Sequence, residues 1–183
     1  MFKWLLRLVV LLVVVAVVAV YYGGTVPEHH QSVVSARYAQ PPEAVWAVLT
    51  DVMAFPTWRK DLDRVEPLPD ANGHRRWREH GDYGTLDLEV TESEPPRHLA
   101  TTILYAATDD PDFSGSWIYD LEPDGPGTRL TITEDGRIHN RVFRALAHTV
   151  MGYQSTQEEY LRTLGRKLGE DVEPVRGAVT VGD

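Results

Sequence analysis

From Leu8 to Tyr22 the chain reads LVVLLVVVAVVAVYY, an apolar run with no polar face. A segment that is hydrophobic all round suits a bilayer or a fully buried core better than a protein surface. Counted from Trp4 to Tyr22 it rises about 28 Å as a helix, enough to span hydrocarbon. Beyond residue 31 the pattern becomes periodic. Val34, Ala36 and Tyr38 alternate with polar neighbours, predicting a strand that stops at Pro41-Pro42. Pro42 then opens a helix with Val45, Val48 and Leu49 on one stripe and Trp46 beside it, and a second short helix is predicted near 55–62. Between about 64 and 138 short apolar alternations are punctuated by Gly73, GDYG at 81–84, PP at 95–96, DDPDFSG at 109–115 and PDGPG at 123–127, the text of an antiparallel meander. From Asn140 to Gly169 the helical period returns, with Val142, Leu146, Val150, Tyr153, Gln157, Leu161, Leu164 and Leu168 on one face, and one long helix is predicted. Residues 1–24 thus read as a transmembrane anchor, 25–31 as a linker, 32–170 as the folded body and 171–183 as a flexible tail.

Charge fixes the register of two hairpins. Centring a turn on GDYG pairs positions whose numbers sum to 165, setting Arg76 opposite Glu89 and Arg78 opposite Asp87, while Trp77 meets Leu88 and Glu79 meets Leu86. In the next hairpin a sum of 251 sets Glu122 opposite Arg129, Tyr119 opposite Ile132 and Leu121 opposite Leu130. A slip of one residue would scramble both faces at once, so the agreement of charge and apolar pattern supports both registers. The sheet has one wet face and one apolar face, and the long C-terminal helix is its natural cover.

Overall charge changes the picture for partners. Two of the 18 basic side chains, Lys3 and Arg7, precede residue 23, which leaves 16 against 27 acidic ones and a net of −11 for residues 23–183. Such a body disfavours nucleic acid and anionic lipid headgroups as partners, since both demand clustered Lys and Arg. Lys3 and Arg7 before the apolar run, with only Arg37 close behind it, place the N-terminus in the cytoplasm and the body on the outer side. A cleaved export signal is the alternative, and it leads to a secreted body. With no cysteine there is neither a disulfide framework nor a thiolate nucleophile. The histidines do not follow metal-site spacing, no metal or other cofactor is expected, and no G-x-S-x-G, P-loop or G-x-G-x-x-G occurs.

The order strand, two short helices, meander, long helix resembles the START/Bet v 1-like helix-grip fold, and its polyketide cyclase/dehydrase (SRPBCC) branch in local text. The similar segments are ARYAQPPEAVWAVLTDVMAFPTWRKDLDRVEPL at 36–68, LEVTESEPPRHL at 88–99, GSWIYDLEPDGPGTRLTITEDGRI at 115–138 and EEYLRTLGRKLG at 158–169. The resemblance implies an α+β fold whose curved antiparallel sheet wraps the C-terminal helix and encloses a cavity for a hydrophobic small molecule or lipid. A minority of such proteins catalyse cyclisation or dehydration, and no shared catalytic set carries over.

In such a cavity Trp58, Trp77, Tyr105, Trp117, Tyr119 and Tyr153 are the candidate aromatic walls, with Trp46 read rather as core. Arg75 and Glu79 flank Trp77 on the inward face, and Glu134 faces Trp117 across its hairpin. A charge there must be paired, wet or shifted in pKa. Arg75 is the candidate anchor for a ligand carboxylate or enolate, and Glu79 or Glu134 a candidate proton acceptor. Three readings remain: a binding module, a cyclase or dehydratase using Arg75, Glu79 and a tyrosine, and a filled core whose surface serves a protein partner.

Overall fold

The computed structural model describes residues 2–82, 84–105 and 112–182, with only the backbone of Phe2. Residue 83 of the GDYG turn and residues 109–111 of the DDPDFSG turn lie outside that set. A first helix, α1 (Phe2–Gly23), precedes β1 (His29–Tyr38), α2 (Pro42–Thr50) and a 3-10 turn over Val52–Thr57. Six strands follow: β2 (Leu62–Ala71), β3 (His74–Gly81), β4 (Gly84–Glu94), β5 (His98–Leu104), β6 (Phe113–Asp124) and β7 (Gly127–Ile138). After them come α3 (Arg141–Leu146), a π-helical turn over Ala147–Met151, α4 (Ser155–Leu168) and β8 (Val175–Val181). All eight strands form one antiparallel sheet in the order β2-β3-β4-β5-β6-β7-β1-β8. The sheet curves around α4, the helix-grip arrangement. Within α1, Lys3–Gly23 is long and apolar enough to cross a membrane.

Both hairpin registers agree with the charge argument: Arg76 pairs with Glu89 and Arg78 with Asp87, and Glu122 lies opposite Arg129 with Trp117 opposite Glu134. Pro42 opens α2, which buries Val45 and Leu49 against the sheet. The outer edge, β2, carries Pro67 and Pro69, which cannot donate to a further strand.

Four expectations are corrected. The second short helix is a 3-10 turn lying earlier, over Val52–Thr57, because Pro56 lacks the N–H that an α-helix there needs, while Val52 and Phe55 are drawn into the core. The 25–31 linker is shorter than expected, since β1 starts at His29 and pairs His29 to Gln31 with Arg137 to Asp135. The tail is not frayed: β8 pairs with β1, whose N–H and C=O groups would otherwise form an open edge. The long helix is broken at Gly152, which sits at φ 77 and ψ 154, a conformation that no β-carbon tolerates well. Of its two pieces only α4 covers the sheet; Val142, Leu146 and Val150 are exposed, and α3 packs beside α1 instead.

Two polar side chains seat α4. Gln154 donates to the carbonyls of Val33 (2.8 Å) and Gly177 (3.1 Å), where the β1–β8 ladder shifts register. Gln157, fully buried, donates to Ser32 and Ile132 carbonyls at 3.2 and 3.0 Å and accepts from the Ser32 hydroxyl at 2.7 Å. Each replaces a hydrogen bond that the ladder or solvent would otherwise supply.

Candidate ligand-binding interior

The space between sheet and α4 has two unlike halves. One is dry: Val34, Val45, Leu49, Leu130, Ile132, Leu161 and Leu164 are each at most 2% exposed. Besides the hydrogen-bonded Gln157 and Ser32, the Tyr38 hydroxyl intrudes here, donating to the Leu161 carbonyl at 2.9 Å, and burial raises the Tyr38 pKa above the usual phenol range. The other half is aromatic. Tyr160 of α4 stands at its centre, with ring centroids 5.7 Å from Trp58, 5.5 Å from Trp117 and 6.0 Å from Tyr119. The Trp58 and Trp117 contacts are edge-on, the arrangement favoured by ring quadrupoles.

A charge network sits beside these rings. Arg59 donates to both carboxylate oxygens of Glu79 at 3.2 Å and to Asp61 at 2.7 Å, and its guanidinium lies 5.4 Å from the Phe55 ring and 5.5 Å from the Tyr160 ring. Burial works against this charge, but Glu79 and the Asp61 hydrogen bond together outweigh it and hold the Arg59 pKa above its ordinary value. Glu79 accepts a third bond, from Trp77 Nε1 at 2.9 Å. Burial likewise raises the pKa values of Tyr119 and Tyr160, so both are neutral hydroxyls that donate and accept. In this half a donor is unmatched: Trp58 Nε1 is buried and has no hydrogen-bond partner among the described residues, and the same holds for Arg144 Nε beside α1. Two concavities lie outside this interior. A groove of about 300 Å³ runs between α1 and α3, and a cleft of about 270 Å³ lies beside Arg37, Arg129 and Val172.

Residues 29–168 match the family model described as polyketide cyclase/dehydrase and lipid transport. The chain belongs to this family. Among solved structures it is similar to the protein MLL2253 from Mesorhizobium loti, at 26% identity and a TM-score of 0.58 over 76% of this chain and 96% of that one. It is also similar to the Zhui aromatase/cyclase from Streptomyces sp. R1128, with 22% identity and a TM-score of 0.57 over 75% and 92%. A START superfamily protein from Mycobacterium smegmatis shares 17% identity and a TM-score of 0.52 over 72% and 99%. At those identities the last two likenesses bear on fold alone. No curated protein matches the chain.

Within this family member the expected site residues separate. Trp58, Trp77, Glu79, Trp117 and Tyr119 converge on the aromatic half. Glu134 and Tyr153 meet elsewhere, around His30: its Nε2 lies 3.5 Å from Glu134 and its ring centroid 4.6 Å from that of Tyr153. Tyr105 stands apart, donating to the Phe113 carbonyl. Arg75 is exposed and donates to the Thr50 carbonyl at 2.8 Å, placing it at the rim rather than on the inner wall, because β3 only begins at His74. Trp46 is partly buried and packs on the dry half. Tyr160 and Arg59 join the site although neither is among the residues expected from the sequence. Tyr160 follows Gln157 by three positions and precedes Leu164 by four, so the helical period pointed inward at it. Arg59 was signalled only indirectly, by an inward Glu79 that needed a counter-charge.

Proposed function

We propose that this protein is a membrane-tethered module that takes a hydrophobic small molecule or lipid into the aromatic half of its interior. The observation that carries the reading is the buried, unmatched N–H of Trp58, whose ring packs edge-on against Phe55 and Tyr160. An unsatisfied buried donor costs about 1–3 kcal/mol, so an apolar ligand bearing one acceptor gains there what no side chain supplies. Trp58 and Trp117 are only partly buried, so their rings can yield without opening the dry half. Membership of the family supports the same substrate class. α1 serves as the tether, and Lys3 and Arg7 favour the body on the outer side. A Gly125→Cys variant, with its thiol at the β6–β7 turn, then reacts with an impermeant maleimide in intact cells; protection until lysis contradicts that orientation.

Trp58→Phe in the full chain, held in lipid nanodiscs, tests the site. It keeps the ring and removes the donor, so affinity for apolar probes carrying a carbonyl or hydroxyl falls about tenfold, equivalent to about 1.4 kcal/mol. Probes of pure hydrocarbon lose less than about threefold. Equal, non-saturable uptake by wild type and variant overturns the reading. A second reading, a filled core whose surface serves a protein partner, draws on the position of both concavities outside the grip. The enzymatic alternative is weaker, since Glu79 is engaged by Arg59 and Trp77 and Arg75 faces solvent.

A further inference from the structure

Outside α1, large hydrophobic side chains are exposed mainly in one place. Val142, Phe143, Leu146, Val150 and Met151, on α3 and the π-helical turn, are 38%, 48%, 38%, 77% and 57% exposed. This face is continuous with α1. Ala145, Leu146 and Thr149 line one wall of the α1–α3 groove, and Val14, Val15, Val18, Ala19 and Tyr22 line the other. From Val14 to Tyr22 is about 12 Å along a helix axis, so α3 runs beside the last turns of the apolar helix. The fit is close: a β-carbon on Gly23 would lie 1.8 Å from the Arg141 carbonyl oxygen, and only glycine permits that approach. Arg144, buried, locks the corner by donating to the Val26 carbonyl at 3.3 Å and pairing with Glu28 at 3.1 Å.

Charge singles out the same stretch. In a chain of net charge −9, residues 136–157 contain no Asp or Glu, yet include Arg137, Arg141 and Arg144. Arg141 is exposed beside the end of α1, its Nη1 lying 3.6 Å from where a Gly24 β-carbon would stand. An apolar face, a stretch with no acid of its own and a cation at the level of the aromatic pair Tyr21 and Tyr22 together match the bilayer interface, with acyl chains below and phosphates above, while Glu28 and Asp112 are tied to Arg144 and Asn140 at the N-terminal corner of α3.

We infer that α3 and the π-helical turn form a second membrane-contacting element, which seats Phe143, Val150 and Met151 in the outer acyl–headgroup boundary beside α1. This rests on the reading of α1 as a membrane span. The body is thereby held against the bilayer in one orientation rather than swinging on the 24–28 connection.

The absence of cysteine makes the test direct. Val150→Cys in the full chain is labelled with the fluorophore NBD and reconstituted in phosphatidylcholine vesicles with a minority of phosphatidylglycerol. Lipids carrying a doxyl nitroxide near the top or the end of an acyl chain report depth. Leu12→Cys reports on α1 independently, and Gly125→Cys at the β6–β7 turn is the aqueous reference. The expected result is emission at Val150 quenched to about half or less by the shallow nitroxide, the depth an interfacial helix reaches, with Gly125 unquenched. Quenching at Leu12 but not at Val150 overturns the inference and leaves the span intact. A blue shift at Val150 without quenching means a protein covers this face, which also overturns it. Quenching at Val150 but not at Leu12 supports the membrane contact and sinks the span.

Discussion

The two halves of the interior lie under the same helix and against the same sheet, yet they are finished differently. Around Leu161 the side chains are closed off and mainly apolar, and the buried polar groups of Tyr38 and Gln157 are hydrogen-bonded, so burial converts directly into stability. Around Tyr160 the chain spends inward positions on a partly buried cation, a buried carboxylate and an indole N–H with no partner, with Asp61 holding the cation from the more exposed side. Those groups stabilise folding less than aliphatic packing of the same volume would. A domain that only needed to fold could have continued the dry half to the sheet edge. The contrast separates the part of the interior that holds the structure from the part left able to bind.

Truncation should separate them most sharply. Leu161→Ala removes a fully buried side chain and is expected to cost about 2–5 kcal/mol in urea unfolding of the full chain in micelles, without changing which probes bind. Arg59→Met strands Glu79 with only the Trp77 donor and is expected to cost less, about 2–3 kcal/mol, because this end is partly open. The double variant Arg59→Met, Glu79→Leu should recover most of that loss. A neutral Leu161→Ala would mean that α4 does not grip the sheet, and a neutral Arg59→Met that Glu79 is solvated, and either result erases the contrast.

The smallest effect belongs to the outer face of the sheet. His98 is held by Asp120 at 2.7 Å and by Glu92 at 3.2 Å, and the Asp120 hydrogen bond raises its pKa above the ordinary 6.5. Its contribution is therefore complete below about pH 6.5 and fades as pH rises through the higher folded value. Asp87 has the opposite sign: the Arg78 hydrogen bond lowers its pKa below 3.8, so its contribution is present above that value and lost as pH falls through the lowered one. Urea midpoints across neutral pH should slope less in His98→Gln than in wild type, by under about 1 kcal/mol in total, while ligand uptake stays unchanged. An identical slope in the two proteins would show that the imidazole does not contribute.

Much of this architecture was legible because two independent signals had to agree. In the β3–β4 and β6–β7 hairpins, paired opposite charges occupy one face and mainly apolar residues the other, so a single register satisfied both. Where only one signal existed, the reading erred. The stripe from Val142 to Leu168 is continuous in period, but period does not say what an apolar face packs against, and its first half turned toward α1. β8 shows two-residue alternation, but its partner β1 lies at the other end of the sequence, beyond the reach of local pattern. In the site, Trp77 and Glu79 were placed inward from register, whereas Arg59 follows the 3-10 turn, where no periodicity constrained its direction.

Whether a ligand enters the aromatic half is decided by photolabelling. The full chain in nanodiscs is irradiated with a fatty acid bearing a diazirine at its chain end, and the modified peptides are mapped by mass spectrometry. Saturable labelling is expected at Trp58, Trp117 or Tyr160, competed by unlabelled fatty acid and reduced in Trp58→Phe, beside non-saturable labelling of α1 and α3. Labelling confined to α1 and α3, with the interior untouched at every concentration, would contradict ligand entry.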